Sequence, residues 1–157
     1  MDMTGEHRIA ATRDTVWAAL NDADVLRACI PGCEELERTS DTALSALVVQ
    51  KIGPVKAKFR GDVELSNINA PASYTISGEG SGGVAGFAKG GADVSLLEDG
   101  AETVLTYQVQ ATVGGKLARL GSRLIDSTAK KLAAQFFDNF QAHLNEADAE
   151  PAQLRSR

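Results

Sequence analysis

Few side chains in this sequence have chemistry to offer. It holds two histidines, His7 and His143, near opposite ends of the chain. A histidine working with a cysteine or serine nucleophile needs that partner within hydrogen-bond reach. Neither histidine has a companion motif, so both read as surface or structural, and no catalytic residue is assigned. Cys29 and Cys33 sit on either side of Pro31-Gly32, in a C-x3-C spacing. A structural zinc takes four ligands, and there is no second pair to supply them. Both cysteines therefore read as small buried hydrophobes, with a reactive thiol at a cavity mouth as the lesser alternative. No metal and no cofactor is expected.

The glycine-rich stretch Gly78–Gly91 invites comparison with a phosphate loop. Such a loop places Lys-Ser or Lys-Thr after its last glycine, between a strand and a helix. Here Lys89 is followed by Gly90 and strand patterns lie on both sides, so a bulged hairpin fits better. A second pattern is cationic. Lys51, Lys56, Lys58 and Arg60 project from the wet side of neighbouring strands, and Lys116, Arg119, Arg123, Lys130 and Lys131 follow further on. These residues form either a solvated face or a docking surface for an acidic partner or anionic headgroups, with Lys56, Lys58 and Arg60 as its centre.

The remaining candidates are apolar. Phe59, Val63, Tyr74, Ile76, Phe87, Tyr107 and Val109 fall at strand positions, and Leu120, Gly121, Leu124, Thr128 and Leu132 at helical spacing. Small residues such as Gly61, Gly78 and Gly80 stand among them and leave space unfilled. Tyr74 and Tyr107 would give an apolar pocket its polar handles. On the residues alone, a ligand cavity and a close-packed core both remain open.

The elements that must position these residues are legible in the periodicity. An extended segment at 4–11 precedes a helix whose start Thr12 or Asp14 can cap. A second short helix covers about 22–29 and stops at Pro31-Gly32. From 34 to 113 the period is two, with strands at about 34–40, 43–51, 55–65, 73–81, 86–98 and 102–113. In 55–65, apolar and charged residues alternate strictly, as on a half-buried antiparallel strand. Asp99-Gly100 marks a hairpin turn. From 116 to 146 the apolar residues recur every three or four positions, as on a long amphipathic helix. A seven-stranded antiparallel sheet needs one face covered, and only this helix is long enough to cover it. The class expected is α+β, with a curved sheet wrapped around a long C-terminal helix. One domain is expected over 1–146, followed by a disordered polar tail at 147–157.

The 157 residues suit one domain, and 43% hydrophobic with 24% charged residues is a globular composition. A net charge of −5 argues against nucleic acid as a partner. There is no long apolar run and no basic leader, which points to the cytoplasm.

Four segments in order carry a resemblance: Ile30–Glu34, Lys51–Gly61, Gly86–Gly90 and Gly114–Ile125. With Trp17 in the first helix, the chain resembles the START-like (SRPBCC) superfamily with its helix-grip fold. More narrowly, over about residues 3–146, it is similar to the family of the carbon monoxide dehydrogenase G-subunit. The resemblance implies a cavity between sheet and helix, and association with molybdenum hydroxylases of the carbon monoxide dehydrogenase type. A non-catalytic accessory protein is the expectation. Its cargo would be a hydrophobic small molecule, a quinone or a lipid, because such enzymes pass electrons onward and quinones are apolar. Peripheral contact with the inner face of the membrane goes with that cargo. Longer members carry an apolar C-terminal segment; this sequence ends at Arg157, so attachment through such a tail is not expected. Two alternatives stay open. One is an assembly or recruitment factor acting through protein contacts. The other is a START-like enzyme with a pocket acid or base that the sequence does not identify.

Overall fold

The computed structural model describes the backbone of residues 1–155 and the side chains of 1–146. Thr12 caps the first helix, α1 (Arg13–Leu20), by accepting from the Thr15 N–H at 3.4 Å. Asp22 does the same for α2 (Ala23–Cys29), accepting from Asp24 at 2.9 Å and Val25 at 3.4 Å. Each oxygen satisfies donors that a helix start leaves without partners. Strand β1 (Asp2–Ile9) precedes these helices. Six strands follow: β2 (Cys33–Ser40), β3 (Ala43–Ile52), β4 (Val55–Asn69), β5 (Ser73–Ser81), β6 (Phe87–Asp99) and β7 (Glu102–Gly114). The last helix, α3, spans Ser122–Arg155.

The strands form one antiparallel sheet in the order β1-β7-β6-β5-β4-β3-β2. Pleat parity sends alternate residues to opposite faces. Ala57, Phe59, Gly61, Val63 and Leu65 of β4 therefore share the inner face, while Lys56, Lys58, Arg60, Asp62 and Glu64 look outward. Register extends this face across the sheet. Ala46, Gly61, Gly80 and Ala88 lie in one row, and Leu44, Val63, Gly78, Gly90 and Ala111 in the next. Tyr74, Val94, Tyr107 and Gly5 make up another row further along.

The inner face is unevenly filled. At one end, Ile9, Val16, Leu20, Val25, Cys29, Leu96, Leu105, Phe140 and Leu144 pack into a dense core. Phe140 there is 0% exposed. The C-terminal part of α3 is tied to this end. The Asn139 side-chain amide donates to the Cys29 carbonyl at 3.0 Å, and the Gln141 side-chain oxygen accepts from the Ala10 N–H at 2.8 Å. At the other end, the rows of glycine and alanine leave the sheet with almost no side chains to offer the helix.

Two expectations about elements need correction. The last helix begins at Ser122 rather than 116. Residues before it form a 3₁₀ turn at Ala118–Leu120, ended by Gly121 at φ +90°, a value that glycine tolerates and that re-aims the chain. Strand β4 continues to Asn69, four residues past its expected end. The tail expected at 147–157 lies outside the residues whose side chains are described, and the α3 backbone continues to Arg155.

Candidate ligand cavity

The unfilled half of the inner face is a cavity of about 610 Å³. That is a common size for small-molecule pockets. Its floor is the glycine and alanine rows: Ala46, Gly61, Gly78, Gly80, Ala88, Gly90 and Ala92. Val48 and Phe59 wall one end. Leu20, Leu26 and Ile30 close a side from α1, α2 and the link after α2. Ala133, Phe136 and Phe137 of α3 form the roof, and Tyr74, Ile76, Tyr107 and Val109 complete the far wall. A planar or flexible apolar guest could lie on this floor within van der Waals reach of backbone atoms.

Of the expected wall residues, Phe59, Val63, Tyr74, Ile76, Tyr107 and Val109 line the cavity. Phe87 does not. It has the same pleat parity as Lys89 and Asp93, is 45% exposed, and lays its ring over Gly114. Leu120 and Gly121 belong to the turn before α3, away from the lining. Leu124 packs toward the β3–β4 turn, where a Cβ built on Gly53 would stand 2.9 Å from its Cδ2. Thr128 and Leu132 are half-buried but outside the lining. Once Gly121 has turned the chain, the face of α3 over the sheet is set by 133, 136, 137 and 140. Sequence reading missed the roof residues Ala133, Phe136 and Phe137, and also Met3, Leu26, Ile30, Leu36, Arg38, Leu44, Ala46 and Val48, as lining residues. The parity of β3 would have exposed Leu44, Ala46 and Val48; nothing local marked Arg38. Its guanidinium donates to the Asn21 carbonyl and, at 3.0 Å, to that of Asp41.

Two phenols, Tyr74 and Tyr107, stand on the inner-face wall, and Arg38, Asp62, Glu79 and Lys89 also border the cavity. Tyr74 is 6% exposed and meets Trp17 edge-on, with ring centroids 5.3 Å apart. Burial pushes its pKa up to about 12. Burial also raises Tyr107, so both groups stay neutral donors at physiological pH. Among the described residues neither hydroxyl has a hydrogen-bond partner on the protein, and the Tyr107 hydroxyl lies over Gly5 of β1, where an added Cβ would collide with it. Tyr107 belongs to an aromatic stack with His7 and Phe137. The His7 and Phe137 rings are 4.0 Å apart, and Tyr107 is 5.8 Å from Phe137. Burial lowers the His7 pKa, and the nearby Asp138 charge opposes that shift only in part.

His7 is thus wedged between sheet and helix rather than paired with a nucleophile, and His143 lies six positions along α3 from Phe137, which stacks on His7. Cys29 is buried and Cys33 half-buried; both are free thiols, and burial raises both pKa values. Raised thiols are poorly nucleophilic. Among the described residues no three His, Cys, Asp or Glu side chains converge as metal ligands. No helix among them is long and apolar enough to cross a membrane.

The expected docking residues Lys56, Lys58 and Arg60 share the outer face of β4. Lys58 lies 3.9 Å from Glu34, and Arg60 lies 3.5 Å from Glu35, reaching over β3 to β2. Both pairs are exposed, so each holds by about 0–1 kcal/mol and its charge is partly matched within the chain.

No curated protein is found to match the chain. Among solved structures, it is similar to a conserved protein from Geobacillus kaustophilus, at 31% identity and TM-score 0.88, covering 94% of this chain and 97% of that one. A START superfamily protein from Mycobacterium smegmatis shares the fold at 13% identity and TM-score 0.70, over 93% and 98% of the two chains. A STAR-related lipid transfer protein from Xanthomonas axonopodis does so at 20% identity and TM-score 0.61, over 92% and 85%. The model of the CoxG family, that of the carbon monoxide dehydrogenase G-subunit, matches residues 5–145. With the helix-grip fold around that match, the chain belongs to the CoxG family.

Proposed function

We propose that this protein is a non-catalytic carrier of a hydrophobic small molecule, a quinone or a lipid, serving a molybdenum hydroxylase of the carbon monoxide dehydrogenase type. The observation that carries this reading is the cavity of about 610 Å³, predominantly apolar, whose two neutral phenols have no hydrogen-bond partner among the described residues. An apolar guest gains roughly 25 cal/mol per Å² of surface withdrawn from water. Stacking on Phe136, Phe137 or Tyr107 adds about 1 kcal/mol per ring. One or two carbonyl or hydroxyl oxygens on the guest would answer Tyr74 and Tyr107. Family membership supports the enzyme partner, and a shared fold with a lipid transfer protein supports the class of cargo. The binding residues we assign are Phe59, Val63, Tyr74, Ile76, Tyr107 and Val109 with Ala133, Phe136 and Phe137. A carrier of such cargo works beside a membrane, so a cytoplasmic protein visiting the inner face is the matching location.

The exposed wall of the cavity is predominantly apolar, which favours carriage over catalysis. Native mass spectrometry of the purified chain tests the proposal, followed by organic extraction and identification of what is released. A stoichiometric quinone or lipid is the expected result. An apo mass that persists after incubation with cellular lipid extract would refute it.

A further inference from the structure

Three loops meet at the end of the sheet where the cavity lies. They are the β3–β4 turn at Gly53-Pro54, the β5–β6 loop at 82–86, and the β7–α3 link at 115–121. The Leu117 N–H donates to the Ala85 carbonyl at 3.0 Å, and the Leu117 side chain is buried beneath, joining the second loop to the third. Leu124, just after the link, packs toward Gly53 and joins in the first. The Gly82 N–H donates to the Gly86 carbonyl at 2.8 Å, and this closed loop holds Val84 outward at 85% exposure. Phe87 stands beside it at 45%.

The charge carried by the three loops has one sign. Lys51, Lys56, Lys116, Arg119 and Arg123 are exposed there, and segments 51–57, 82–88 and 114–123 contain no aspartate or glutamate. None of these five cations takes part in an ion pair among the described residues, whereas Arg8 and Arg13, at the other end, are paired with Asp99, Glu102 and Glu98. The carboxylates bordering this end are Glu79, exposed on β5 opposite Lys89 and on the same outer face as Phe87, Glu34 and Glu35, which face Lys58 and Arg60, and Asp126, one turn into α3. The opposite end carries Asp14, Asp22, Asp24, Asp41, Glu98, Asp99 and Glu102. A chain of net charge −5 has therefore gathered unpaired positive charge around Val84, the most exposed large apolar side chain among the described residues.

We propose that this end docks on an anionic lipid bilayer, with Val84 and Phe87 entering the headgroup layer and the five cations lying on the lipid charges. Apolar residues that protrude beyond a ring of long basic side chains suit a soft, laterally continuous anionic surface, where each cation contributes independently. The docking end also adjoins the cavity: the Phe59 ring that lines it is backed by Gly82 of the β5–β6 loop, where a Cβ would lie 2.9 Å from the ring. This deepens the carrier reading by naming the surface through which cargo is exchanged, and it can fail separately from it.

The test is vesicle flotation of the intact chain, with phosphatidylcholine alone and with phosphatidylcholine containing phosphatidylglycerol. Binding is expected only to the second and should weaken with added salt. Each basic residue near an anionic surface is worth about a fivefold change in affinity, so Lys116→Gln, Arg119→Gln and Arg123→Gln together should cost about 100-fold. Val84→Asp should also abolish flotation, while its unfolding temperature stays that of the parent because the side chain is exposed. If the triple variant were to misfold, Val84→Asp and the salt dependence still decide. Wild-type chain that ignores phosphatidylglycerol vesicles, binds both vesicles alike, or keeps full affinity in the triple variant overturns the proposal. Retained cargo in native mass spectrometry alongside absent flotation would reject this surface, as an acidic protein partner would predict, and leave carriage intact.

Discussion

Gly80→Phe should block the cavity and raise the stability of the fold. Gly80 faces inward from β5, with Gly61 and Ala88 as its neighbours in the row. A Cβ built on it meets nothing closer than the Gly61 Cα at 3.8 Å and the Arg60 carbonyl at 3.9 Å, which is ordinary van der Waals contact. The new ring would occupy vacant apolar space. Burying it contributes about 1.5–3 kcal/mol, and relieving the entropic cost of glycine in a strand roughly 0.5–1 kcal/mol more. For a chain of this length each kcal/mol moves the midpoint by about 2–4 °C, so Tm should rise on the order of 5–10 °C. Scanning calorimetry reads that rise, and a fluorescent apolar dye reads the loss of uptake. In a close-packed interior the same ring would be forced on its neighbours at a cost of about 1–3 kcal/mol. A fall in Tm, or uptake equal to the parent's, would refute the claim that the floor is open.

Tyr74→Phe removes a buried hydroxyl with no partner among the described residues, so denaturant titration should show the apo chain unchanged or more stable by about 1 kcal/mol. The same variant, and Tyr107→Phe, should weaken a guest bearing a carbonyl by about 0.5–1.5 kcal/mol each in equilibrium binding. Phe140→Ala empties the dense core and should cost about 3–5 kcal/mol in a urea unfolding curve. The folded His7 pKa lies below its unfolded value near 6.5, so its stabilising share is complete above that pH and is lost as pH falls toward the folded value. His7→Phe should flatten the decline of Tm between pH 7 and about 5 relative to the parent; parallel curves would count against this.

Strand alternation carried most of what the sequence made legible. Lys56 to Glu64 against Ala57 to Leu65 is unambiguous, and it places Phe59 and Val63 on the wall together with the small residues that fail to fill the space. The same parity placed Phe87 outward with Lys89 and Asp93; treating it as a wall residue weighted aromatic character above position. Helical spacing was less informative. A broad stripe from Leu117 to Leu144 has no unique face, and the face is fixed by where the helix begins. That start depends on Gly121 at positive φ and on Leu117 being pulled under Ala85, a long-range contact that no local pattern announces. The guanidinium of Arg38 also depends on the carbonyl of Asn21, 17 residues away in the chain. Likewise the pairing of Lys58 and Arg60 with Glu34 and Glu35 needs the register of three strands, which spacing along the chain does not supply.

The chamber floor is made of main chain rather than of side chains, and this bears on how the protein can diverge. Where bulky residues shape a pocket, remodelling it means carving away atoms that also support the fold. Here Gly61, Gly78, Gly80 and Gly90 are held by the ladder whatever stands on them. At Gly78 and Gly80 an added Cβ meets only ordinary contacts, whereas at Gly90 it would crowd Ala111. Single substitutions at the two open positions would resize the chamber stepwise without disturbing strand pairing, so one scaffold can drift from one guest to another by acquiring methyl groups one at a time.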